Sequence, residues 1–182
     1  DALDQDELKF MPNVERILLT KDYAARSILA EIKEKQPFGI WCQIQIMVDS
    51  LEAAPICSWF DRGGKIIGSA LHSEGSLIAV VEDYSGEALG LDSYILPNKF
   101  TGNALSVFDV LLGSGVSIKE IKLNDPELQE LEIFTYDGPR VYFSLRFPAA
   151  SALEILKSLM GKPIFSKLEY VDFRVESKVY YK

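Results

Sequence analysis

The chain has 182 residues, 48% of them hydrophobic and 25% charged, with 27 acidic against 19 basic residues and a formal net charge of −8. That mix is ordinary for a globular protein and excludes a disordered, collagen-like or coiled-coil chain. The acidity disfavours a nucleic-acid role, which needs a positive footprint to hold phosphates.

The length suits one large domain or two small ones. The longest apolar stretches, such as Leu77 to Val81, are strand-length and fall well short of the roughly 18 residues of a membrane helix. The first residue is Asp1 rather than Met, which reads as a processed or trimmed piece.

In chain order, Ala2 to Met11 reads as a short helix closed by Pro12. Val14 to Lys21 and Ser27 to Lys35 carry the β-branched, partly alternating pattern of strands. Phe38 to Cys42 is a compact apolar strand after Gln36-Pro37. Ile56 to Asp61 meets a turn at Arg62-Gly63-Gly64 and returns through Lys65-Ile66-Ile67 as a hairpin.

Leu77 to Glu82 is a further strand, followed by a loop from Asp83 to Gly90. From Asn103 the period turns helical: Leu105, Phe108, Leu111 and Leu112 form one stripe, which Gly113-Ser114-Gly115 ends. Strands follow at Val116 to Leu123, Leu131 to Tyr136 and Val141 to Phe147, the last two joined by a hairpin at Asp137 to Arg140. A second helix, Ala150 to Met160, turns Leu153, Leu156 and Leu159 inward and stops at Gly161 and Pro163. Strands at Leu168 to Val175 and Lys178 to Tyr181 finish the chain. The class is α+β, a mostly antiparallel sheet with helices packed on one face.

Catalytic and metal constellations are sparse. The only histidine, His72, stands in a polar loop and reads as a surface residue. No serine sits in a nucleophile elbow, and Gly113-Ser114-Gly115 is too short for a phosphate loop. Glu127, Glu130 and Glu132 read as a solvated loop and strand entry rather than a cation site. No cofactor and no metal are expected, and the chain is read as a non-enzyme. A hydrolase would need two acids converging in one pocket.

Cys42 and Cys57 each sit on an apolar strand. If those strands pair, a disulfide closing a loop of about 15 residues would add roughly 3 kcal/mol and imply an oxidising compartment. Two buried thiols are the other reading, and both stand. Tyr170, Phe173, Tyr180 and Tyr181 crowd the C-terminus, where a last strand at a sheet edge either carries protective lysines or accepts a partner strand.

Three segments carry a resemblance. Ile32 to Trp41 resembles a Glu-Arg-x-Pro-x-Ala-x-Trp signature, with lysine for arginine and glycine for alanine. Trp59 to Ile66 resembles an Ile-Asp-x-x-Gly-x-Val/Ile strand-turn-strand, with Phe60 in the aliphatic slot. Leu168 to Val175 resembles a closing Val-Asp-Leu-Arg strand. In this order they resemble the extracytoplasmic part of the bacterial cell-division family FtsQ, also called DivIB. The two cysteines and the insertion from Gln43 to Pro55 depart from the family pattern.

The resemblance implies the C-terminal part of a POTRA-like domain, an α-β-β remnant, at 1–41 and a β-domain at 42–182. It also implies a single-pass protein of the cell membrane whose present segment lies outside the cytoplasm, anchored by an N-terminal helix not in this sequence. The implied role is a scaffold that links early and late division proteins, binding FtsB- and FtsL-like partners through Arg174, Val175, Glu176, Ser177, Lys178, Val179, Tyr180 and Tyr181. Arg174 would meet a partner carboxylate or else one of the chain's own acids. A POTRA-type chaperone or transport module of the envelope is the alternative.

Overall fold

Alternation of apolar and polar residues drives much of the chain into strands, which assemble into two sheets of unequal size. A computed structural model of the chain describes residues 8, 10–44, 55–73, 78–124 and 127–182. Its elements are β1 (Val14–Asp22), β2 (Ser27–Glu34), β3 (Pro37–Gln43), β4 (Ile56–Asp61), β5 (Ile66–Ala70), β6 (Ala79–Asp83), α1 (Asn98–Ser114), β7 (Ile118–Leu123), β8 (Glu130–Thr135), β9 (Arg140–Ser144), α2 (Ala152–Met160), β10 (Tyr170–Phe173) and β11 (Tyr180–Tyr181). The expected N-terminal helix falls largely outside the described residues.

β1 and β2 form an antiparallel ribbon. The other nine strands form one sheet in the order β11-β10-β9-β8-β7-β6-β3-β4-β5. Five of its eight pairings are antiparallel, and β3·β6, β6·β7 and β9·β10 are parallel. The α+β expectation holds, with parallel joins that periodicity alone does not announce. Parallel neighbours need a crossover, and α1 supplies it between β6 and β7 and α2 between β9 and β10. β3 runs unbroken across residues 41 and 42, so a boundary drawn there falls inside a strand of the large sheet.

Both helices pack into one core with alternate residues of the sheet. Trp41, Phe60, Val81, Ile121, Ile133, Val141, Phe143 and Val171 meet Ala104, Phe108 and Leu111 of α1 and Leu156 of α2. A smaller buried cluster of Ile40, Cys42 and Cys57 involves the intervening residues of β3 and β4. The sheet therefore has a helix side and an open side.

Several boundaries differ from the periodic reading. α1 begins at Asn98, not Asn103, because Pro97 presets the entry and Thr101 is buried there, its hydroxyl donating to the Leu96 carbonyl at 2.9 Å. It continues through Gly113, whose missing side chain lets Leu153 of α2 come close. The terminator is Gly115, at φ 74°. β9 stops at Ser144, whose hydroxyl accepts the Arg146 N–H. At Gly39 an added Cβ would lie 2.5 Å from the Phe60 ring and 2.8 Å from the Ala79 carbonyl, so the ring packs directly on backbone.

β3 and β6 are tied through the interior as well. The buried Trp41 indole donates to Asp83 at 2.9 Å, and the same carboxylate accepts the Ser85 N–H at 2.8 Å. We expect Asp83→Ala to leave the indole N–H unsatisfied at a cost of about 2 kcal/mol. Urea unfolding checks this: the midpoint should fall with an unchanged slope, and an unshifted midpoint would show that the bond carries no stability.

Candidate functional site

The C-terminal residues singled out in the sequence gather at one edge of the large sheet, though less of them is strand than expected. β10 ends at Phe173 instead of Val175, and β11 comprises only Tyr180 and Tyr181. Between them, Val175 to Ser177 turn, closed by the Lys178 N–H donating to the Val175 carbonyl at 3.1 Å and by Ser177 at φ 60°. A reversal this tight uses residues that the alternation pattern assigns to strand.

β11 is the outermost strand, paired on one side only, with Tyr180 opposite Asp172 and Tyr181 opposite Val171. Lys182 donates its N–H to the Tyr170 carbonyl and accepts the Glu169 N–H, so it faces β10. Strand alternation then turns Tyr180 inward as well, and turns the N–H and C=O groups of Val179 and Tyr181 out of the sheet. Residues 174–178 and both tyrosines are exposed, while Val179 is half-buried against the core.

Beside the 174–178 turn lies a groove of about 280 Å³ walled by Phe147, Pro148, Ile155, Phe173, Val175 and Lys178. An outward-facing strand and an adjoining apolar groove together offer main-chain bonds and seats for side chains.

Arg174 is engaged by the chain itself. Its guanidinium reaches Asp172 at 2.9 and 2.7 Å and Glu130 at 2.8 Å, and stacks 4.7 Å from the Tyr142 ring centre. Of the two pairings left open in the sequence, the geometry is that of an internal clamp holding β10 to β8 across β9. Glu130 and Glu132, read as part of a solvated loop and strand entry, are both strand residues of β8. Glu132 accepts the Tyr142 hydroxyl at 3.2 Å and lies 3.5 Å from Arg140. Glu127 is exposed.

Cys42 and Cys57 are directly opposite each other on β3 and β4 and are joined in a disulfide. The bond is buried among Ile40, Ile44, Trp59, Ala70 and Val80.

One cluster was not legible in the sequence. On the open side of β6 and β7, Glu82 and Glu120 share a hydrogen bond. Lys122 lies 2.8 Å from Glu120 and 3.9 Å from Glu82, and the Tyr84 hydroxyl donates to Glu82 at 2.8 Å. His72 comes within 3.7 Å of Glu82.

Burial, then the bond to Glu82, pushes the Glu120 carboxyl above its ordinary value. For Glu82 burial acts upward too, but bonds from Glu120 and Tyr84 and the Lys122 charge outweigh it and hold the carboxyl low. The two carboxyls thus shift each other in opposite directions. The acids stand 38 positions apart, and only the parallel β6·β7 pairing brings them together. Among the described residues, no group of three or more His, Cys, Asp or Glu side chains is arranged to hold a metal ion.

Three measurements follow. Burial raises the Asp172 carboxyl, but its bonds from Arg174 outweigh that and hold it below 3.8. A lowered folded pKa gives stability that is present above the unfolded value and lost as pH falls through the folded one. Asp172→Asn should therefore cost about 1–2 kcal/mol at neutral pH and nothing once both states are protonated, as read by melts across acid pH.

Glu120 has the opposite sign, its stability being present below 4.5 and lost as pH rises through the folded value. Glu120→Gln should leave neutral-pH stability equal or greater; a loss would show that the charge is favourable. Intact-mass measurement after denaturation should find the chain lighter by two hydrogens without reductant than with it.

No family model and no curated protein matches the chain.

Proposed function

We propose that the chain is a non-enzymatic docking scaffold of the FtsQ/DivIB kind, an extracytoplasmic module that joins division proteins by accepting a strand from a partner at β11. The observation that carries this reading is the outer edge of β11, with the backbone groups of Val179 and Tyr181 turned away from the sheet. An incoming strand would bond to them and set alternate side chains against the exposed tyrosines and the groove by Val175.

On this reading the partners are FtsB- and FtsL-like chains, and the β1–β2 ribbon is the remnant of a POTRA-like domain. The order of the three resembling segments supports both. Arg174 acts as a positioning residue: its clamp to Asp172 and Glu130 stiffens the strand on which β11 is laid. Lys178 flanks the edge and favours an acidic partner segment, while Lys182 is held by Glu169 at 3.0 Å.

The ribbon favours a second reading, a POTRA-type module that handles extended chains. All eight residues of β2 are exposed, including Ile28, Leu29 and Ile32, and among the described residues β2 pairs only with β1.

Titration with the extracytoplasmic segment of an FtsB-like partner distinguishes them. Val179→Pro removes an outward donor and should abolish binding, whereas Val179→Ala, which gives up the same half-buried packing but keeps the donor, should still bind. Ile28→Ser with Ile32→Ser should leave binding intact. Binding that survives Val179→Pro and fails in the ribbon variant would favour the second reading.

A further inference from the structure

The large sheet has a second free edge, at β5, and its sequence is built differently from β11. Residues 66–71 read Ile-Ile-Gly-Ser-Ala-Leu, with no charge and no proline, whereas natural sheets usually blunt an open edge with one or the other. The start of β5 is covered: Ile66 donates its N–H to the Ser93 carbonyl at 2.8 Å and accepts the Asp92 N–H at 3.0 Å. Beyond that strap, among the described residues, nothing pairs with the outer side of 67–71.

The direction of the free backbone groups follows from the register. Ile44 donates its N–H to Asp83 beside β6, so by alternation Cys42 also faces β6. The Cys42–Cys57 pair is therefore the close, non-hydrogen-bonded kind, which accords with its 4.0 Å Cα separation. Cys57 then turns its N–H and C=O to β5, where it meets Ala70. Ser69 accordingly points its own N–H and C=O out of the sheet, and Leu71, just past the strand, does the same.

We propose that this edge pairs antiparallel with the same edge of a second copy of the chain, with Ser69 on the two-fold axis. The segment Ile67-Gly68-Ser69-Ala70-Leu71 is self-complementary about Ser69, as an isologous contact requires. Ser69 meets Ser69 through the outward backbone groups and Gly68 meets Ala70, while Leu71 reaches the bulge at Ile67, whose own side chain is 5% exposed. No like charges face one another.

Leu71, 88% exposed in the single chain, is partly covered by the second strand. Nothing lies within 4 Å of where a Gly68 Cβ would stand, so the sheet face is open at that position. The edge opens onto a groove of about 410 Å³ that includes Trp59, Ile67 and Leu91 and has no charged residue in its lining. A contact this short is weak and concentration-dependent. It lies at the far side of the sheet from β11 and is independent of docking there.

Sedimentation of the 182-residue chain over a wide concentration range tests the proposal. The parent should pass from monomer to dimer. Ser69→Lys and Ser69→Glu should each stay monomeric, because like charges meet on the axis, and an equimolar mixture of the two should dimerise again.

Ser69 is exposed, so both variants should melt with the parent. Val179→Pro should leave the dimer intact, which separates this edge from the other. A parent that is monomeric throughout, a dimer that survives Ser69→Lys, or a mixture that fails to associate would each overturn the proposal. So would amide protection of Ser69 in a chain of monomer mass, which would mean that another segment covers the edge.

Discussion

Among the described residues, a nine-stranded sheet is covered by helices on one side only and must settle its other face and its two edges without a second helical layer. That constraint runs through the whole molecule. On the helix side the problem is solved by bulk, with Trp41, Phe60, Phe108 and Phe143 filling the space that α1 and α2 enclose. The open side is solved by two devices. Around β3 and β4 it is apolar and stapled by the Cys42–Cys57 disulfide. From β6 to β10 it is a lattice of acids, cations and rings, in which Lys122 lies over Tyr84 and Phe134, Arg140 over Phe134 and Arg174 over Tyr142. The charges named in that lattice are paired within and across strands, so the face stays ordered without being apolar.

The edges remain, and they differ. At β11 the outward groups are flanked by Lys178 and an apolar groove, which suits a foreign strand chosen by charge and shape. At β5 the segment is neutral, small and nearly palindromic, which suits its own copy. On the proposed scaffold reading, which calls for more than one surface, the sheet offers two, at its opposite ends. The clamp of Arg174 on Asp172 and Glu130 matters here, because it makes the terminal strands continuous with the rigid body instead of a loose tail.

Much of this was legible in the residues themselves. The hairpins at Arg62-Gly63-Gly64 and Asp137 to Arg140 announced themselves by turn chemistry, and Val141, Phe143 and Leu145 by alternation. The first turn of α1 was hidden because Asn98 and Lys99 are polar and Gly102 interrupts the stripe, while burial of Thr101 and Ala104 decides the matter from outside the helix. The ends of β10 and β11 were misread because a tight turn at Glu176-Ser177 uses residues that look like strand. Parallel neighbours were not legible at all: no local signal pairs β6 with β7. The meeting of Glu82 and Glu120 therefore stayed out of reach, and the pairing of Cys42 with Cys57 was visible only as one of two options.

The same mixture of joins has a kinetic side. The antiparallel steps β3-β4-β5, β7-β8-β9 and β10-β11 link neighbours in sequence, so each can close a small loop early. The three parallel seams, β3·β6, β6·β7 and β9·β10, bring together segments separated by long intervening chain, and two of them wait for a helix to be laid across. Loop-closure entropy makes such seams the slow steps of assembly. The large sheet should therefore condense from three local antiparallel units, and until the last seam forms the β10-β11 pair has no sheet to extend. Whatever binds at that margin reads the completion of the fold itself.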